Sequence, residues 1–204
     1  MGLIVSIFTI YLIPGLWGAP LKLISGFPPP LNYAESPYGF GNNSNSTGSV
    51  VEIPEGAKEG PNRIISFLDY DKGMEYAIAN NKPVLLDFTG RACVNCRKME
   101  EHVWSESDVL TKLKNDVVLI SLYVDDKSDL PESEQYVSKT TGKRIKTIGN
   151  KWSDFQIEKY QANAQPYYIV LDHEGNNLNN PVGYTPDKDE YLNWLTEGIN
   201  NFNK

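Results

Sequence analysis

Two cysteines, Cys93 and Cys96, are the residues of this chain whose type and spacing most clearly point to chemistry. Two cysteines placed at random in 204 residues would stand three positions apart about one time in a hundred. Since the chain has no further cysteine for a structural disulfide, the pair must be judged on its own chemistry. Such a pair can cycle between dithiol and disulfide, or it can supply half of a zinc site.

The pair is predicted to lie where a buried strand ends and a helix begins. Residues 83–88 form the continuous apolar run that is typical of a strand covered on both faces, and Gly90 interrupts it. The first turn of the helix that follows has free N–H groups and a partial positive charge, which favour a thiolate. We therefore expect the pKa of Cys93 to fall below the free-thiol value of about 8.5. Cys93 would then be the nucleophile, and Cys96, one turn deeper, would resolve the mixed disulfide.

Two alternatives compete with the redox interpretation. A zinc site needs two more ligands, and the only histidines, His102 and His173, stand at spacings that match no standard zinc finger, so carboxylates would have to substitute. The cysteines could also be an inert buried pair, but their predicted place at the end of a strand favours reactivity. No metal is therefore expected.

The apolar N-terminal segment, residues 1–25, is predicted to be a membrane segment. Residues 1–21 carry no charged side chain, and residues 3–13 are strongly apolar. A helix needs about 20 apolar residues to span a bilayer, and Pro14 and Gly15 weaken the second half of this segment. A signal peptide or a buried or peripheral arm are the alternatives, although the basic start and the small-residue cleavage pattern of a signal peptide are missing.

Residues 26–62 are predicted to be a linker, and residues 63–204 a folded domain. Prolines at 28–30 stiffen the first part of the linker, and the polar run 41–48 leaves the rest flexible. The formal net charge of the chain is −7. Binding to nucleic acid requires a clustered positive surface, so no nucleic-acid partner is expected.

Strand and helix signals alternate through the domain, which predicts an α/β sandwich around one central sheet. Residues 125–149 are polar and irregular, and are long enough to be an insertion. A turn at residues 172–175 leads to a further strand, and Thr185 and Pro186 are predicted to cap and start the last helix. The remaining strands are predicted at 63–68, 83–88, 117–124 and 167–171, and the helices at 71–80, 93–103, 107–113 and 152–160.

The run Leu85 to Phe88, followed by Cys93 to Glu100, resembles the active-site strand and helix of the thioredoxin superfamily. It is more narrowly similar to the C-terminal periplasmic domain of the transmembrane thiol:disulfide interchange reductases, the DsbD family. In that family an apolar membrane segment, a linker and this domain follow one another in the same order, so the resemblance implies that residues 1–25 are the tail of a final membrane helix. The resemblance implies a thioredoxin-like fold, with a central mixed sheet flanked by helices. Ala92 departs from the pattern, because most of the superfamily has an aromatic residue before the first cysteine.

The resemblance also implies roles for four further residues. Asp87 matches a buried acid beneath the second cysteine, and Glu100 matches a second acid one turn after the pair; both would accept protons. Pro166 matches the cis-proline that faces the cysteines, and with Gln165 it would bind substrate. The alternatives are a solvent-facing Asp87, a solvated Glu100 on the helix surface, and a trans Pro166 at the start of a strand.

The function implied is a protein-disulfide reductase that works through the cysteine pair without a metal or organic cofactor. Its partners would be disulfide-bearing proteins and a membrane-embedded electron donor, and the domain would lie outside the cytoplasm, in the bacterial periplasm. Electron transport of this kind also serves cytochrome c biogenesis. A membrane-anchored oxidase or isomerase, and a non-catalytic adaptor with the same fold, are the alternatives. Whether Met1 is a natural start or a fragment boundary is left open.

Overall fold

The computed structural model describes residues 2–14 and 53–203. In these ranges, short 3-10 helices occur at Pro61–Arg63 and Glu132–Glu134. The α-helices are α1 (Gly2–Leu12), α2 (Tyr70–Ala79), α3 (Val94–His102), α4 (Ser107–Asn115), α5 (Ile148–Tyr160) and α6 (Lys188–Phe202). The strands are β1 (Ala57–Glu59), β2 (Ile65–Phe67), β3 (Val84–Thr89), β4 (Val118–Tyr123), β5 (Tyr136–Val137), β6 (Arg144–Ile145) and β7 (Tyr167–Leu171).

Five strands form one mixed sheet in the order β1-β2-β4-β3-β7. β3 runs parallel to β4 and antiparallel to β7, while β2 runs parallel to β4 and antiparallel to β1. Every residue of β3 and β4 is buried, as expected of central strands with helices on both faces. The predicted mixed sheet flanked by helices is confirmed.

Each face of the sheet has its own hydrophobic core, because successive side chains of a strand point to opposite faces. Leu85 contributes to one core, where it joins side chains of α3, α4 and α6. Leu86 contributes to the other core, with side chains of α2 and α5. α3, the helix that follows the redox loop, is thus held against the sheet by Met99 and Val103, both of which are fully buried.

The last helix begins later than predicted. Asp187, and not Thr185, is its N-cap, and the Asp187 carboxylate accepts hydrogen bonds from the backbone N–H groups of Asp189 and Glu190. One carboxylate thereby satisfies two N–H groups that have no partner inside the helix. The strand predicted after the 172–175 turn is also reduced, to isolated bridges that join Leu171 to Asn177 and Tyr168 to Val182.

The stretch 125–149 is more ordered than its composition indicated. β5 and β6 pair as an antiparallel hairpin, and α5 begins at Ile148, inside the stretch predicted to be irregular. The base of this insertion is closed by backbone hydrogen bonds from Leu130 N–H to Lys146 O at 2.7 Å and from Ile148 N–H to Ser128 O at 2.9 Å.

The sheet extends into residues that the sequence placed in the linker. β1 lies within the predicted 26–62 segment, yet it pairs with β2, with Lys58 opposite Ser66. Strand pairing supplies backbone partners that the linker-like composition could not predict. The rest of the predicted linker up to residue 52 lies outside the described residues, as do residues 15–25 of the apolar segment.

The N-terminal helix α1 is short and apolar, with Leu3 and Ile4 about three-quarters exposed. Within residues 2–14 and 53–203, no helix combines the length and the apolar composition needed to cross a membrane. The membrane role of residues 1–25 stays a prediction.

Gly149 allows the close approach between α5 and the backbone of the insertion. A Cβ at this position would lie 2.6 Å from both Asp126 N and Val124 O, two backbone atoms that cannot move aside independently. We predict that Gly149→Ala lowers the free energy of unfolding by about 1–3 kcal/mol, measured by urea denaturation. The control is Gly183→Ala, where the nearest atom to the added Cβ would be 3.5 Å away. Equal stability of the two variants would contradict this prediction.

Candidate active site

The cysteine pair lies in the loop between β3 and α3, as predicted. Cys93 is the N-cap residue of α3, and Cys96 lies in the first turn of that helix. The two sulfurs form a disulfide with an S–S distance of 2.03 Å and a Cα–Cα distance of 5.3 Å. The strand-to-helix junction therefore holds both sulfurs within bonding distance of one another.

The two cysteines differ in environment. The sulfur of Cys93 accepts a hydrogen bond from the backbone N–H of Cys96, with an N···S distance of 3.2 Å. Cys93 is partly exposed, whereas only 2% of Cys96 is exposed. A free N–H at a helix start, together with the helix dipole, stabilises negative charge on the sulfur that caps it. The accessible sulfur is thus also the one placed to carry that charge.

Asp125 holds the loop that precedes Cys93, a role that sequence reasoning missed. Its carboxylate accepts hydrogen bonds from the backbone N–H of Arg91 at 2.9 Å and of Ala92 at 3.0 Å. The Arg91 guanidinium forms an ion pair with Asp126 at 2.9 Å, so the acid next to Asp125 contacts the same loop. The adjacent acids Asp125 and Asp126 at the start of the insertion were a sequence signal for a functional role. Their contact with the cysteine loop could not be predicted, because it depends on β3 and β4 ending side by side.

Asp87 is buried in β3, where it lies opposite Ser121 of β4 and is only 2% exposed. Burial raises the pKa of Asp87 to about 7, and the positive charge of Arg97 and a hydrogen bond from Ser121 oppose that rise. Its Oδ1 atom has no hydrogen-bond partner among the described residues. The structure thus places this carboxyl inside the domain and not at a solvent-facing strand edge.

Glu100 is also buried, with 6% exposure. Its Oε1 accepts a hydrogen bond from Nη2 of Arg97 at 2.7 Å. Burial raises the pKa of Glu100; the Arg97 charge opposes this rise, and the carboxylates of Asp87 and Glu101 add to it. The alternative of a solvated helix carboxylate does not fit this position.

Arg97 is the second functional candidate that sequence reasoning missed. It follows Cys96 directly, is 2% exposed, and also donates from Nη2 to Thr89 Oγ1 at 3.3 Å. Its spacing of three residues from Glu100 is that of an ion pair on one helix face, which was a usable signal. Arginine is nevertheless usually exposed, and only the packing of α3 on the sheet shows that this pair is buried.

Pro166 follows a cis peptide bond, as predicted. Phe88 pairs with Tyr167 in the β3–β7 ladder, so the next register position brings Thr89 beside Pro166, at the edge of the sheet where the cysteine loop begins. The Gln165 side chain donates to Oε1 of Gln156 at 3.0 Å. Sheet register therefore brings residues 165 and 166 to the end of the domain that carries Cys93.

Within the described ranges, no group of three or more His, Cys, Asp or Glu side chains is arranged to hold a metal ion. One of the two histidines, His173, instead forms a hydrogen bond between its Nε2 and the Lys82 carbonyl at 3.1 Å and packs against Phe202. The zinc alternative has no ligand set in this part of the chain.

A family model described as a thioredoxin-like domain matches residues 70–199, which is more than half of the chain. The chain belongs to the thioredoxin-like domain family. No curated protein matches it. A thioredoxin fold with a Cys-x-x-Cys pair at disulfide distance indicates a thiol-disulfide oxidoreductase.

Several solved structures are similar to the chain at low sequence identity. The DsbH oxidoreductase is 18% identical, with a TM-score of 0.47 over 65% of this chain and 82% of that one. A thioredoxin from Thermus thermophilus is 19% identical, with a TM-score of 0.45 over 63% and 82%. The reduced C-terminal domain of DsbD from Neisseria meningitidis is 16% identical, with a TM-score of 0.44 over 63% and 92%. The family assignment rests on the family model.

The buried Asp87 carboxyl is expected to make stability fall as the pH rises. The unfolded chain ionises this group near its ordinary pKa of about 3.9, while the folded protein keeps it protonated up to about pH 7. Between these values the folded state binds more protons, so the free energy of unfolding decreases with pH. The measurement is the free energy of unfolding of Asp87→Asn minus that of the wild type, obtained by urea denaturation of the oxidised proteins. We predict that this difference increases by about 2–4 kcal/mol from pH 4 to pH 8, in favour of the variant.

The control for this comparison is Asp129→Asn, which removes an exposed carboxylate. Its urea midpoints are expected to follow those of the wild type across the same pH range. Parallel curves for Asp87→Asn and the wild type would show that Asp87 is ionised in the folded protein and would contradict the prediction.

Removal of the Asp125 carboxylate is expected to loosen the loop before Cys93. Asp125→Ala leaves the N–H groups of Arg91 and Ala92 without their acceptor, which costs about 1–3 kcal/mol for each buried group and less where water can reach it. We predict faster hydrogen exchange at these two amides, measured by NMR, while the amides of β4 keep their protection. Asp129→Ala is the control, and unchanged exchange at residues 91 and 92 in Asp125→Ala would refute the role of this carboxylate.

Proposed function

We propose that this protein reduces disulfides in partner proteins, with Cys93 as the attacking cysteine and Cys96 as the resolving cysteine. The observation that carries the proposal is the hydrogen bond from Cys96 N–H to the Cys93 sulfur, on the more exposed member of the pair. A thiolate, not a thiol, attacks disulfides, and this contact favours the anionic form of one particular sulfur.

In the first step the thiolate of Cys93 attacks one sulfur of a partner's disulfide. A bond forms between Cys93 and that sulfur, the partner's S–S bond breaks, and the second partner sulfur leaves as a thiolate that takes up a proton. Cys93 and Cys96 have separate tasks because only the first is accessible to a partner, while the second is covered by the domain.

In the second step Cys96 must lose its proton before it can attack the sulfur of Cys93. Asp87 and Glu100 are proposed as the proton acceptors, since both carboxyls are buried and burial raises the pKa of each. The Cys96 thiolate then forms the Cys93–Cys96 bond, and the partner leaves as a second thiolate. The partner has gained two electrons, and the domain is left oxidised.

Gln165 and Pro166 are proposed to bind the substrate backbone. A proline offers no N–H group of its own, and the residue before it can pair with an extended chain as an added strand. The Gln165 side chain is engaged with Gln156, so its backbone groups would make that contact. Their register position beside the end of β3 supports the proposal.

Recharging the oxidised domain requires an electron donor. We propose a membrane-embedded cysteine pair as that donor, with the domain outside the cytoplasm in the bacterial periplasm and residues 1–25 associated with the membrane. The apolar, exposed side chains of α1 and the order of apolar segment, linker and domain support this arrangement. The proposed direction of electron flow is thus from the membrane to soluble partners.

Reductase activity of the purified protein is expected with insulin as the substrate and dithiothreitol as the electron source. Cys93→Ser should abolish the activity, because the attacking thiolate is missing. Reduced Cys96→Ser, mixed with insulin in the absence of dithiothreitol, should accumulate a mixed disulfide that added dithiothreitol releases. Precipitation of the insulin B chain and mass spectrometry measure the two effects. Lys114→Ser, on the exposed surface of α4, should match the wild type. Lack of turnover by the wild type would favour a non-catalytic adaptor.

The direction of electron flow is expected to appear in the reduction potential of the Cys93–Cys96 pair. Equilibration with glutathione should give a value near the thioredoxin value of about −270 mV. A value near about −120 mV, typical of a strong oxidant, would overturn the reductase proposal in favour of an oxidase. The control is Lys114→Ser, whose substitution lies on the exposed surface of α4 and should leave the reduction potential unchanged.

A further inference from the structure

One positive and two potentially negative side chains lie buried together on β3 and α3, the two elements that flank the cysteine loop. Arg97 and Asp87 are each 2% exposed, and Glu100 is 6% exposed. Arg97 contacts Glu100 directly at 2.7 Å, and its charge also acts on Asp87. The Nε and Nη1 atoms of Arg97 have no hydrogen-bond partner among the described residues, so its contacts with oxygen acceptors there are made through Nη2.

A buried guanidinium restricts the charge that the two carboxyls can adopt. Arginine stays protonated in proteins, and an uncompensated charge in the interior is strongly unfavourable. If both carboxyls were protonated, Arg97 would be left without a counter-charge. If both were ionised, the group would have a net charge of −1. The group therefore exchanges one proton, between a neutral state and a state of charge −1.

We propose that Arg97 is a positioning residue that keeps one of the two buried carboxyls ionised, so that Asp87, Glu100 and Arg97 together exchange a single proton with Cys96. The proposal rests on the proposed function for its role in turnover. In the resolving step the S–H bond of Cys96 breaks and its proton passes to one of the two carboxylates, so the net charge of Asp87, Glu100 and Arg97 together changes from −1 to neutral. The electron pair left on sulfur forms the bond to Cys93. The proton belongs to the coupled pair and not to one carboxyl.

The other groups around the pair are not expected to take up this proton. Burial raises the pKa of Tyr123 to about 12 and raises the pKa values of Tyr168 and Tyr191 well above the usual phenol value, so these side chains are neutral near pH 7. Glu101 adds a negative charge that acts on Glu100. The charged and titratable neighbours are Glu101 on α3, Tyr123 on β4, Tyr168 on β7, Tyr191 on α6 and Arg91 in the loop. All of them are unchanged in the variants below.

The test reads the ionisation of Asp87 from its carboxyl ¹³C shift in the oxidised protein, in which the cysteines do not titrate. In Glu100→Gln the charge of Arg97 acts on Asp87 alone, so its midpoint should fall below that of the wild type. In the double variant Arg97→Met, Glu100→Gln the midpoint should rise above that of Glu100→Gln by at least about one pH unit. The double variant removes the ion pair as a whole and leaves no unpaired buried charge. Equal midpoints in the two variants would overturn the proposal.

A kinetic measurement tests the role in resolution. Reduced protein is mixed with oxidised glutathione, and the release of glutathione from the Cys93 mixed disulfide is followed against pH. Arg97→Met should move the half-maximal rate to higher pH, and Arg97→Lys, which keeps the charge, should restore the wild-type profile. If all three profiles coincide, Arg97 has no role in the proton transfer. Neither measurement needs a physiological partner, so failure of the reductase assignment would be seen separately, in the insulin assay.

Discussion

The hydrogen bond between the first turn of α3 and the sulfur of Cys93 is the contact on which the site depends. This hydrogen bond requires that the helix begin immediately after Cys93. The chain must therefore leave β3, turn within three residues and enter the helix at a fixed position. Asp125 helps to fix the conformation of this turn, because its carboxylate accepts hydrogen bonds from two successive N–H groups of the turn. The helix start is in turn held against the sheet by the buried side chains of Met99 and Val103. The proposed reactivity of one sulfur thus depends on packing across the domain.

The interior between β3 and α3 contains several charged or titratable side chains. Asp87, Arg97 and Glu100 are all nearly inaccessible to solvent, and burial moves the pKa of each carboxyl toward neutrality. Such groups weaken the folded state, because each carboxyl would ionise freely in the unfolded chain. Arg97 and Glu100 follow Cys96 on the same helix, which supports the proton transfer proposed for them. The proposed activity and the stability of the fold therefore oppose one another at this site.

Sheet topology brings the parts of the site together. β3 and β4 run parallel and end at the same edge, so the loop with Cys93 meets the start of the insertion with Asp125. β7 runs antiparallel to β3, so its beginning, next to Pro166, lies at that same edge. Residues that are more than 70 positions apart in the chain are thus assembled by two strand pairings. The loops at this edge can vary in sequence while the strand pairings keep the cysteines in place.

Local sequence patterns were enough to predict the strand–loop–helix unit with its cysteine pair, because spacing and short-range periodicity decide those features. The resemblance of the same segment to a known family extended the prediction to Asp87, Glu100 and the cis bond before Pro166. The tertiary structure alone decided the rest. The contacts of Asp125, the burial of Arg97 and the pairing of β1 depend on segments distant in sequence, and a single-sequence pattern carries no information on such contacts. The cap of α6 was mispredicted for a local reason, since Thr185 and Asp187 are both good capping residues and only the path of the chain selects between them.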